Sequence, residues 1–392
     1  MSASLPPLAL YVHLPWCVRK CPYCDFNSHE QRGPLPEAAY VDALLEDLDT
    51  ARDAAQGRGL RSIFIGGGTP SLFSAAAVAR LLAGIAARVP LADGAEVTLE
   101  ANPGTAEAER FRGYRDAGVN RLSLGIQSFD DRQLRRLGRI HDAAQARRAI
   151  ELAQQSFARI NLDLMYALPE QGLADALADV RTALAAGVEH LSFYQLSIES
   201  NTVFFSRPPP LPDDELAAAI EEAVHGELAA AGWQRYEVSA WSLPGAECRH
   251  NLNYWHFGDY LGIGAGAHAK LSWPARIVRE ARSRVPADYQ RRVLAGDAVA
   301  ERREVAPADA VFEFMMNALR LPQGFPVALF GERTGQPLSA TEPALSQACA
   351  RGLLERSAER IRPTALGLRF LNELLGLFLP AGDGGAPTDP AR

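Results

Sequence analysis

Six apolar segments rich in strand-forming residues alternate with amphipathic helical segments through the first half of the chain. Helix-period stretches such as "EAAYVDALLEDLDTARDAA", "AAAVARLLAGIAARV" and "ADALADVRTALAAG" lie between them. This alternation predicts an α/β fold with a parallel sheet of βα units, open or rolled into a barrel, whose chemistry lies at the C-terminal ends of the strands. The strand-like segments begin near Leu8, Ser62, Glu96, Arg121, Ile160 and His190.

The alternation ends after "HLSFYQLSIESNT", where a proline-rich run and an alanine-rich helical segment follow. With 392 residues the chain exceeds what one hydrophobic core usually supports. We expect a partial barrel over residues 5–205 and an accessory region over 206–305. Residues 306–380 combine a helix, two short strands and a further helix, which predicts a small winged-helix-like domain. The Gly/Pro/Ala-rich residues 381–392 are expected to be a disordered tail.

The charge balance excludes some classes of partner. The chain has 40 Lys and Arg against 47 Asp and Glu, a net charge of −7, which is opposite to the basic balance of nucleic-acid-binding proteins. No apolar stretch reaches the roughly 18 residues that suggest a membrane span, and the first residues do not resemble a signal peptide. We therefore expect a cytoplasmic protein that binds no nucleic acid and has no membrane span.

Three of the five cysteines, Cys17, Cys21 and Cys24, lie in the short segment "CVRKCPYC" after the first strand-like segment. In a reducing compartment, clustered cysteines more often bind metal or take part in chemistry than form disulfides. A structural zinc ion usually takes four ligands, so three thiols are too few unless His13 or His29 completes the set. Three thiolates are the right number for a 4Fe-4S cluster that leaves one iron open to a small molecule.

The cysteine spacing, with the aromatic Tyr23 before the last cysteine, resembles that of the radical S-adenosylmethionine (SAM) superfamily. In that superfamily the open iron holds the amino and carboxylate groups of SAM, and an electron from the cluster cleaves a C–S bond of SAM. The resemblance implies a 4Fe-4S cluster on the three cysteines and SAM as a cofactor. Its motifs carry over as candidate SAM contacts Tyr11, Tyr23, Gly67, Gly68, Thr69, Glu100, Gln127, Arg139 and Asp163.

Some of these positions also have an interpretation from the residues alone. Glycines in "GGGTP" let the backbone approach a ligand closely, although Gly-rich turns are common. Glu100 follows a strand-like segment, where it either pairs with the SAM amino group or ribose or remains a solvated charge at the rim. Asp163 lies inside an apolar run, where an unpaired charge would be costly.

The motifs "LYVHLPWC", "CPYCDFNS", "GGGTPS", "LEANPGT", "RLSLGIQSF", "LGRIH" and "DLMYALPEQ" resemble those of the coproporphyrinogen III dehydrogenase-like group over most of the chain. Two families of this group are candidates: the oxygen-independent dehydrogenase, which oxidatively decarboxylates two propionates to vinyls, and the HemW haem chaperones. The dehydrogenase is expected to have a further cysteine two residues after Cys24, where this chain has Phe26. The segment "HNLNYW" matches a motif associated with haem binding in HemW. Both features favour the HemW family.

By this resemblance, His250 is the candidate axial ligand of a haem iron, and Asn251, Tyr254 and Trp255 shape the haem site. Histidine suits this role, since it is a common ligand of haem iron. The alternative is a structural segment whose aromatic side chains pack under the barrel and whose His250 bonds to the backbone.

The resemblance implies a haem chaperone that delivers haem to apo-haemoproteins, while the cluster and SAM govern conformation, dimerisation or release. Respiratory haemoproteins at the membrane are among the expected recipients, reached by peripheral attachment, and a homodimer is compatible with this function. No residue is assigned a catalytic role. Two alternatives stay open: the coproporphyrinogen dehydrogenase itself, and a radical SAM protein that acts on another substrate.

Overall fold

The structure, a computed structural model, describes residues 5–105, 108–274 and 276–380, so the tail predicted over 381–392 lies outside the described residues. Its strands define one large sheet and two small ones. In chain order the strands are β1 (Leu8–Leu14), β2 (Trp16–Cys17), β3 (His29–Glu30), β4 (Leu60–Gly67), β5 (Leu91–Ala101), β6 (Arg121–Gln127), β7 (Arg159–Tyr166), β8 (His190–Gln195), β9 (Gln234–Glu237), β10 (Ala240–Ser242), β11 (Asp259–Ile263), β12 (His268–Trp273), β13 (Arg276–Arg282), β14 (Val299–Val305), β15 (Phe325–Pro326), β16 (Leu354–Arg356) and β17 (Arg360–Pro363).

The strands predicted from the sequence are β1 and β4 to β8, and they pair in parallel in chain order. This singly wound order confirms the α/β prediction and is the order that a partial barrel has. Strands from residues 206–305 extend the same sheet at both edges. β11 pairs in parallel with β1 and is followed by the antiparallel β12, β13 and β14, while β10 and β9 continue antiparallel from β8. The domain boundaries at 205 and 305 stay predictions.

Helices between the parallel strands cover one face of the sheet. The apolar side chains of α1, such as Leu44 and Leu48, join the same core as Leu10, Ile63 and Leu99 from the strands. The described helices are α1 (Glu37–Ala51), α2 (Ala75–Ala86), α3 (Ala108–Asp116), α4 (Asp131–Arg136), α5 (Ala143–Gln154), α6 (Leu173–Ala185), α7 (Val203–Ser206), α8 (Asp214–Ala230), α9 (Arg249–Trp255), α10 (Pro286–Leu294), α11 (Pro307–Ala318), α12 (Val327–Thr334), α13 (Glu342–Ala350), α14 (Ala365–Arg369) and α15 (Leu371–Gly376). No helix within the described residues is both long and apolar enough to cross a membrane.

The opposite face of the parallel strands is buried and yet polar. Because side chains alternate along a strand, the residues between the apolar core positions all point to this second face. We call it the polar face, and its buried polar members include Ser62, Glu96, Thr98, Arg121, Ser123, Asn161, His190 and Ser192. Hydrogen bonds connect part of it: Asn161 donates to Ser123 Oγ at 2.7 Å, and its Oδ1 lies 2.6 Å from His190 Nδ1. Polar side chains from several strands therefore point into the interior of this fold.

The C-terminal region has a hydrophobic core of its own. Phe314 of α11 packs edge-on against Phe325 of β15 and Phe330 of α12, with ring centroids 4.9 Å and 5.3 Å away. β15, β17 and β16 form a small antiparallel sheet beside these helices. The predicted helix and pair of short strands are present, and α14 and α15 follow them.

Buried ion pairs attach the accessory strands to the first helix. Arg282 of β13 donates to Asp47 of α1 with Nη2 and Oδ1 3.0 Å apart, and both side chains are inaccessible to solvent. Tyr289 of α10 donates its hydroxyl to the other Asp47 oxygen at 2.9 Å. A buried charge is costly unless it is paired and hydrogen-bonded. Asp47 therefore fixes β13 and α10 against α1.

Replacing Asp47 by Ala is expected to lower the free energy of unfolding by about 3–5 kcal/mol, because Arg282 stays buried without its partner. The matched control is Asp42→Ala on the same helix, whose ion pair with Arg80 is exposed, and its expected effect is below about 1 kcal/mol. Chemical denaturation of the full-length protein measures both changes. Equal losses for the two variants would contradict the role given to Asp47.

Candidate functional site

The three cysteines lie on a loop between β1 and α1. Cys17 belongs to β2, and pairing of β2 with β3 joins the two ends of the loop. The Cys24 N–H donates to the Cys21 carbonyl at 3.1 Å, which tightens the turn between them. All three side chains line one cavity of about 330 Å³, a size typical of small-molecule sites. The cavity lies at the C-terminal ends of the parallel strands, where the fold predicts chemistry.

The same cavity brings together most of the predicted SAM contacts. They come from strands and loops far apart in the sequence, because parallel strands end at one edge of the sheet. Those that line the cavity are Tyr23, Gly67, Gly68, Thr69, Glu100, Gln127, Arg139 and Asp163.

Tyr11 is not among the residues that line the cavity. Its hydroxyl is 3.0 Å from His13 Nδ1, and its ring stacks on Phe64 with centroids 6.3 Å apart. The other ring nitrogen of His13 lies 2.8 Å from the carbonyl oxygen of Asn27, on the cysteine loop. Tyr11 is thus one side chain away from that loop, and its role in SAM binding stays a prediction.

A polar network connects the thiols to the strand ends. Thr69 Oγ1 lies 3.6 Å from Cys17 Sγ, and Arg139 Nη1 lies 3.5 Å from Cys21 Sγ. Asn102 joins the two: its Nδ2 donates to Thr69 Oγ1 at 2.9 Å, and its Oδ1 accepts from Arg139 Nη2. The sequence interpretation missed Asn102, although it directly follows β5 inside the quoted motif "LEANPGT".

Close packing explains two of the glycines. A Cβ atom on Gly68 would lie 2.5 Å from the carbonyl oxygen of Trp16, so this glycine is needed for contact with the cysteine segment itself. A Cβ on Gly125 would lie 2.7 Å from Asn102 Oδ1, and the Gly125 carbonyl accepts from Arg139 Nη2 at 2.8 Å. Any larger residue at either position would disturb the cavity wall.

Two carboxyl groups of the polar face line the cavity: those of Glu100 on β5 and Asp163 on β7. Removal from water, and then the nearby Asp163 carboxylate, raise the pKa of Glu100 to about 8, while the Gly67 N–H donates to its Oε2 at 3.2 Å. Removal from water also raises the pKa of Asp163, against hydrogen bonds from Asn161 and Ser123 at 2.8 Å and 3.1 Å. Glu100 is therefore not a solvated rim charge. With a pKa of about 8, Glu100 is largely protonated at neutral pH, and the two carboxyl groups present oxygen atoms that can accept hydrogen bonds from a cationic group.

His250 lies at the other end of the strands. It belongs to α9, and its ring Nδ1 is 3.1 Å from Ser62 Oγ, near the start of β4. The ring packs on Phe64 with centroids 5.1 Å apart, and the His250 backbone N–H donates to Glu96 Oε1 at 3.2 Å. Burial is the main cause that lowers the pKa of His250 to about 4, so the imidazole is neutral at physiological pH. A neutral imidazole is the form that binds a metal.

The rest of the "HNLNYW" segment packs beside the C-terminal region. The Arg320 guanidinium lies 4.3 Å from the centroid of the Trp255 ring, and Tyr254 contacts that ring edge-on at 5.0 Å. Trp255 Nε1 is buried without a hydrogen-bond partner among the described residues, and the Asn251 N–H is directed at the Cys248 thiol. The structure thus separates the predicted site residues into two groups at opposite ends of the strands.

Comparison with known proteins agrees with the motifs and the fold. The chain is 52% identical to heme chaperone HemW of Escherichia coli (strain K12) over 378 residues, which cover 96% of this chain and 99% of that protein. The corresponding protein of Haemophilus influenzae is 50% identical over 96% of this chain and 99% of its own length. The chain belongs to the HemW family. This confirms the family expected from Phe26 and "HNLNYW".

Other matches place the HemW family within a wider group. The Radical SAM superfamily model matches residues 11–183, and the HemN C-terminal domain model matches residues 305–370. The mitochondrial radical S-adenosyl methionine domain-containing protein 1 of Mus musculus is 36% identical over 95% of this chain and 87% of that protein. The solved structure of coproporphyrinogen III oxidase (HemN) from Escherichia coli, a radical SAM enzyme, has a TM-score of 0.82 over 95% of this chain and 90% of that chain. At 21% identity this likeness shows a common fold alone.

Membership of the radical SAM superfamily implies a 4Fe-4S cluster and SAM, and the residues of the cavity fit both. Three thiols line it. Arg139 lies beside Cys21, and its Nε is buried without a hydrogen-bond partner among the described residues. This nitrogen can therefore donate a hydrogen bond to an anionic group. Among those residues no three His, Cys, Asp or Glu side chains are arranged to hold one metal ion. A cubane does not require this, because each thiolate bonds a different iron.

The Glu100 carboxyl group gives a pH dependence that can be measured in the absence of SAM. The pKa of Glu100 rises from 4.5 to about 8 on folding, so wild-type stability is reduced progressively as the pH passes from about 4.5 to about 8. The neutral isostere Glu100→Gln lacks this penalty. Its melting temperature relative to wild type is expected to rise between about pH 5 and about pH 9. Glu109→Gln, on the exposed first turn of α3, is the control. A pH-independent difference for Glu100→Gln would contradict the raised pKa.

Proposed function

We propose that this chain is a haem chaperone, which binds haem and delivers it to apo-haemoproteins. The observation that carries the proposal is the near-complete coverage, at 52% and 50% identity, of two relatives named heme chaperone HemW. We also propose that the recipients include respiratory haemoproteins and that this chain reaches them without a membrane span. In this proposal a homodimer takes part in the delivery cycle.

The haem ligand in this proposal is His250. Its Nδ1 is held by Ser62 at 3.1 Å. When that nitrogen carries the proton, Nε2 has the lone pair that a metal requires, and a hydrogen bond on the opposite nitrogen fixes both the tautomer and the ring orientation. Phe64 lies against the ring at 5.1 Å, so an apolar surface suited to a porphyrin lies beside the ligand. Asn251, Tyr254 and Trp255 shape the remaining walls.

The cluster ligands in this proposal are Cys17, Cys21 and Cys24. The Glu100 and Asp163 side chains are suited to the SAM amino group, and Arg139 is suited to the SAM carboxylate. Thr69 and Gln127 complete the polar lining, and Tyr23, Gly67 and Gly68 form the wall. When bound, the cluster and SAM supply electron transfer and radical chemistry. The chain's own residues hold the two groups at one end of the strands.

Contacts within the polar face join the two ends. Asn27 on the cysteine loop contacts His13, His13 contacts Tyr11, and Tyr11 stacks on Phe64. Phe64 in turn packs against His250. This continuous series of side chains supports the proposal that the state of the cluster site influences how haem is held.

No observation in this structure favours the coproporphyrinogen dehydrogenase over the chaperone. Phe26 takes the place where the resemblance to the dehydrogenase expects a further cysteine, and its ring is exposed at the cavity. The likeness to HemN concerns the fold.

The test is an anaerobic hemin titration of the cluster-reconstituted, full-length protein, followed in the Soret region. Wild type is expected to bind saturably, and His250→Ala to bind more weakly by roughly tenfold or more, since even outer partners of a metal ligand are worth 10- to 100-fold. The control is His256→Ala, which follows the last residue of α9 and is expected to leave the titration unchanged. Binding indifferent to His250 would overturn the ligand assignment, and absence of saturable binding to wild type would overturn the chaperone proposal.

A further inference from the structure

The polar face contains a buried arginine without an ion-pair partner. Arg121 is the first residue of β6, and it is 2% exposed. Within the described part of the chain, no carboxylate oxygen lies within 4.0 Å of its guanidinium group. Its register partner Arg159 on β7, by contrast, donates to Glu96 at 2.7 Å and to Glu189 at 3.2 Å. Two like charges thus lie side by side, and one of them is unpaired.

A second unpartnered polar group lies directly beside Arg121. Thr98 of β5 is the register partner of Arg121, so the two side chains share the same face of the sheet. Thr98 is fully buried, and its hydroxyl has no hydrogen-bond partner among the described residues. Buried polar groups are nearly always hydrogen-bonded. A buried hydroxyl without a hydrogen-bond partner thus lies beside a buried guanidinium without an ion pair, and an anionic ligand would satisfy both.

The charges around Arg121 restrict what that ligand is. The guanidinium is favoured in its charged form by four groups that lie beyond ion-pair distance and raise its pKa against the effect of burial. They are Cys248, Glu96, Tyr236 and Asp163. A guanidinium fork matches a carboxylate in two parallel hydrogen bonds. A doubly charged phosphate would be repelled by the Glu96 and Asp163 carboxyl groups, which makes a singly charged carboxylate the better fit.

Arg121 lies on the same face of the sheet as the contacts of the proposed haem ligand. His250 contacts Ser62, Ser62 is the register partner of Glu96, and Thr98, the register partner of Arg121, follows Glu96 by two residues on that face. The unpartnered arginine and the neutral imidazole therefore border the same part of the polar face. A ligand that bonds to His250 through a metal and carries flexible carboxylate arms would satisfy both.

We propose that Arg121 and Thr98 form a carboxylate-binding site inside the sheet, and that the carboxylate is a propionate of the haem bound by His250. The part that names the propionate rests on the proposed haem function. The site itself rests on the two unpartnered groups and would equally accept a small free carboxylate.

The experiment compares hemin with hemin dimethyl ester, which lacks free carboxylates, on the full-length, cluster-reconstituted protein. Wild type is expected to prefer hemin by roughly 10- to 100-fold, the range of a hydrogen bond to a charged group. Arg121→Met is expected to remove this preference while its affinity for the ester stays unchanged. The control Arg58→Met removes another enclosed arginine, one that pairs with Asp259, and should keep the preference. Equal binding of hemin and ester by wild type would overturn the propionate assignment.

Two further measurements keep the site testable when hemin does not bind or when Arg121→Met does not fold. Thr98→Val retains the shape of the side chain and is expected to reduce the preference for hemin a few-fold. Sodium propionate, added at constant ionic strength, is expected to raise the melting temperature of wild type above that in sodium chloride and to raise that of Thr98→Val by less. Failure of hemin binding together with this propionate response would reject the haem function and retain the carboxylate site. Absence of both responses would overturn the site.

Discussion

Parallel pairing of β1 and β4 to β8 in chain order is the constraint on which the rest of this structure depends. Because every strand runs in the same direction, all their C-terminal ends meet at one edge, and the loops that follow them surround one cavity. The cysteine loop, the "GGGTP" turn and the strand ends that carry Glu100 and Gln127 are brought together in this way. The chemistry of the cavity is a consequence of strand direction.

The alternation of side chains along those strands divides the polar groups from the core. Apolar positions pack under the helices, and the positions between them build a buried polar face. That face extends from the Glu100 carboxyl at one end to Ser62 and His250 at the other. Its length separates the cluster cavity from the "HNLNYW" segment, while the Tyr11, Phe64 and His250 rings keep them in contact through packed side chains.

Local patterns were sufficient to predict the six parallel strands and the position of the three cysteines at the strand ends. Apolar runs of strand length and a spacing of three cysteines are properties of neighbouring residues. The attachment of β11 to β1 could not be predicted, because it pairs Leu8 with Asp259 across most of the chain. Asn102 was missed for a similar reason, since its partners Thr69 and Arg139 come from other loops. The position of His250 at the far end of the strands depends on how α9 docks, which no local pattern encodes.

The burial of Arg121 could not be predicted from the sequence either. An arginine at the start of a strand is ordinarily a solvated residue, so its sequence context gives no sign of burial. It is enclosed here because the register places it beside Thr98 and Arg159 on the polar face. Burial of an unpaired charge is costly, and its retention in the fold is consistent with a ligand that completes the pairing.

The most direct test of this account is the position of iron in crystals of protein loaded with both the cluster and haem, determined from anomalous diffraction at the iron edge. The account predicts two iron centres at opposite ends of the strands, one beside Cys17, Cys21 and Cys24 and one beside His250. A haem iron beside Phe26 at the mouth of the cluster cavity would contradict it.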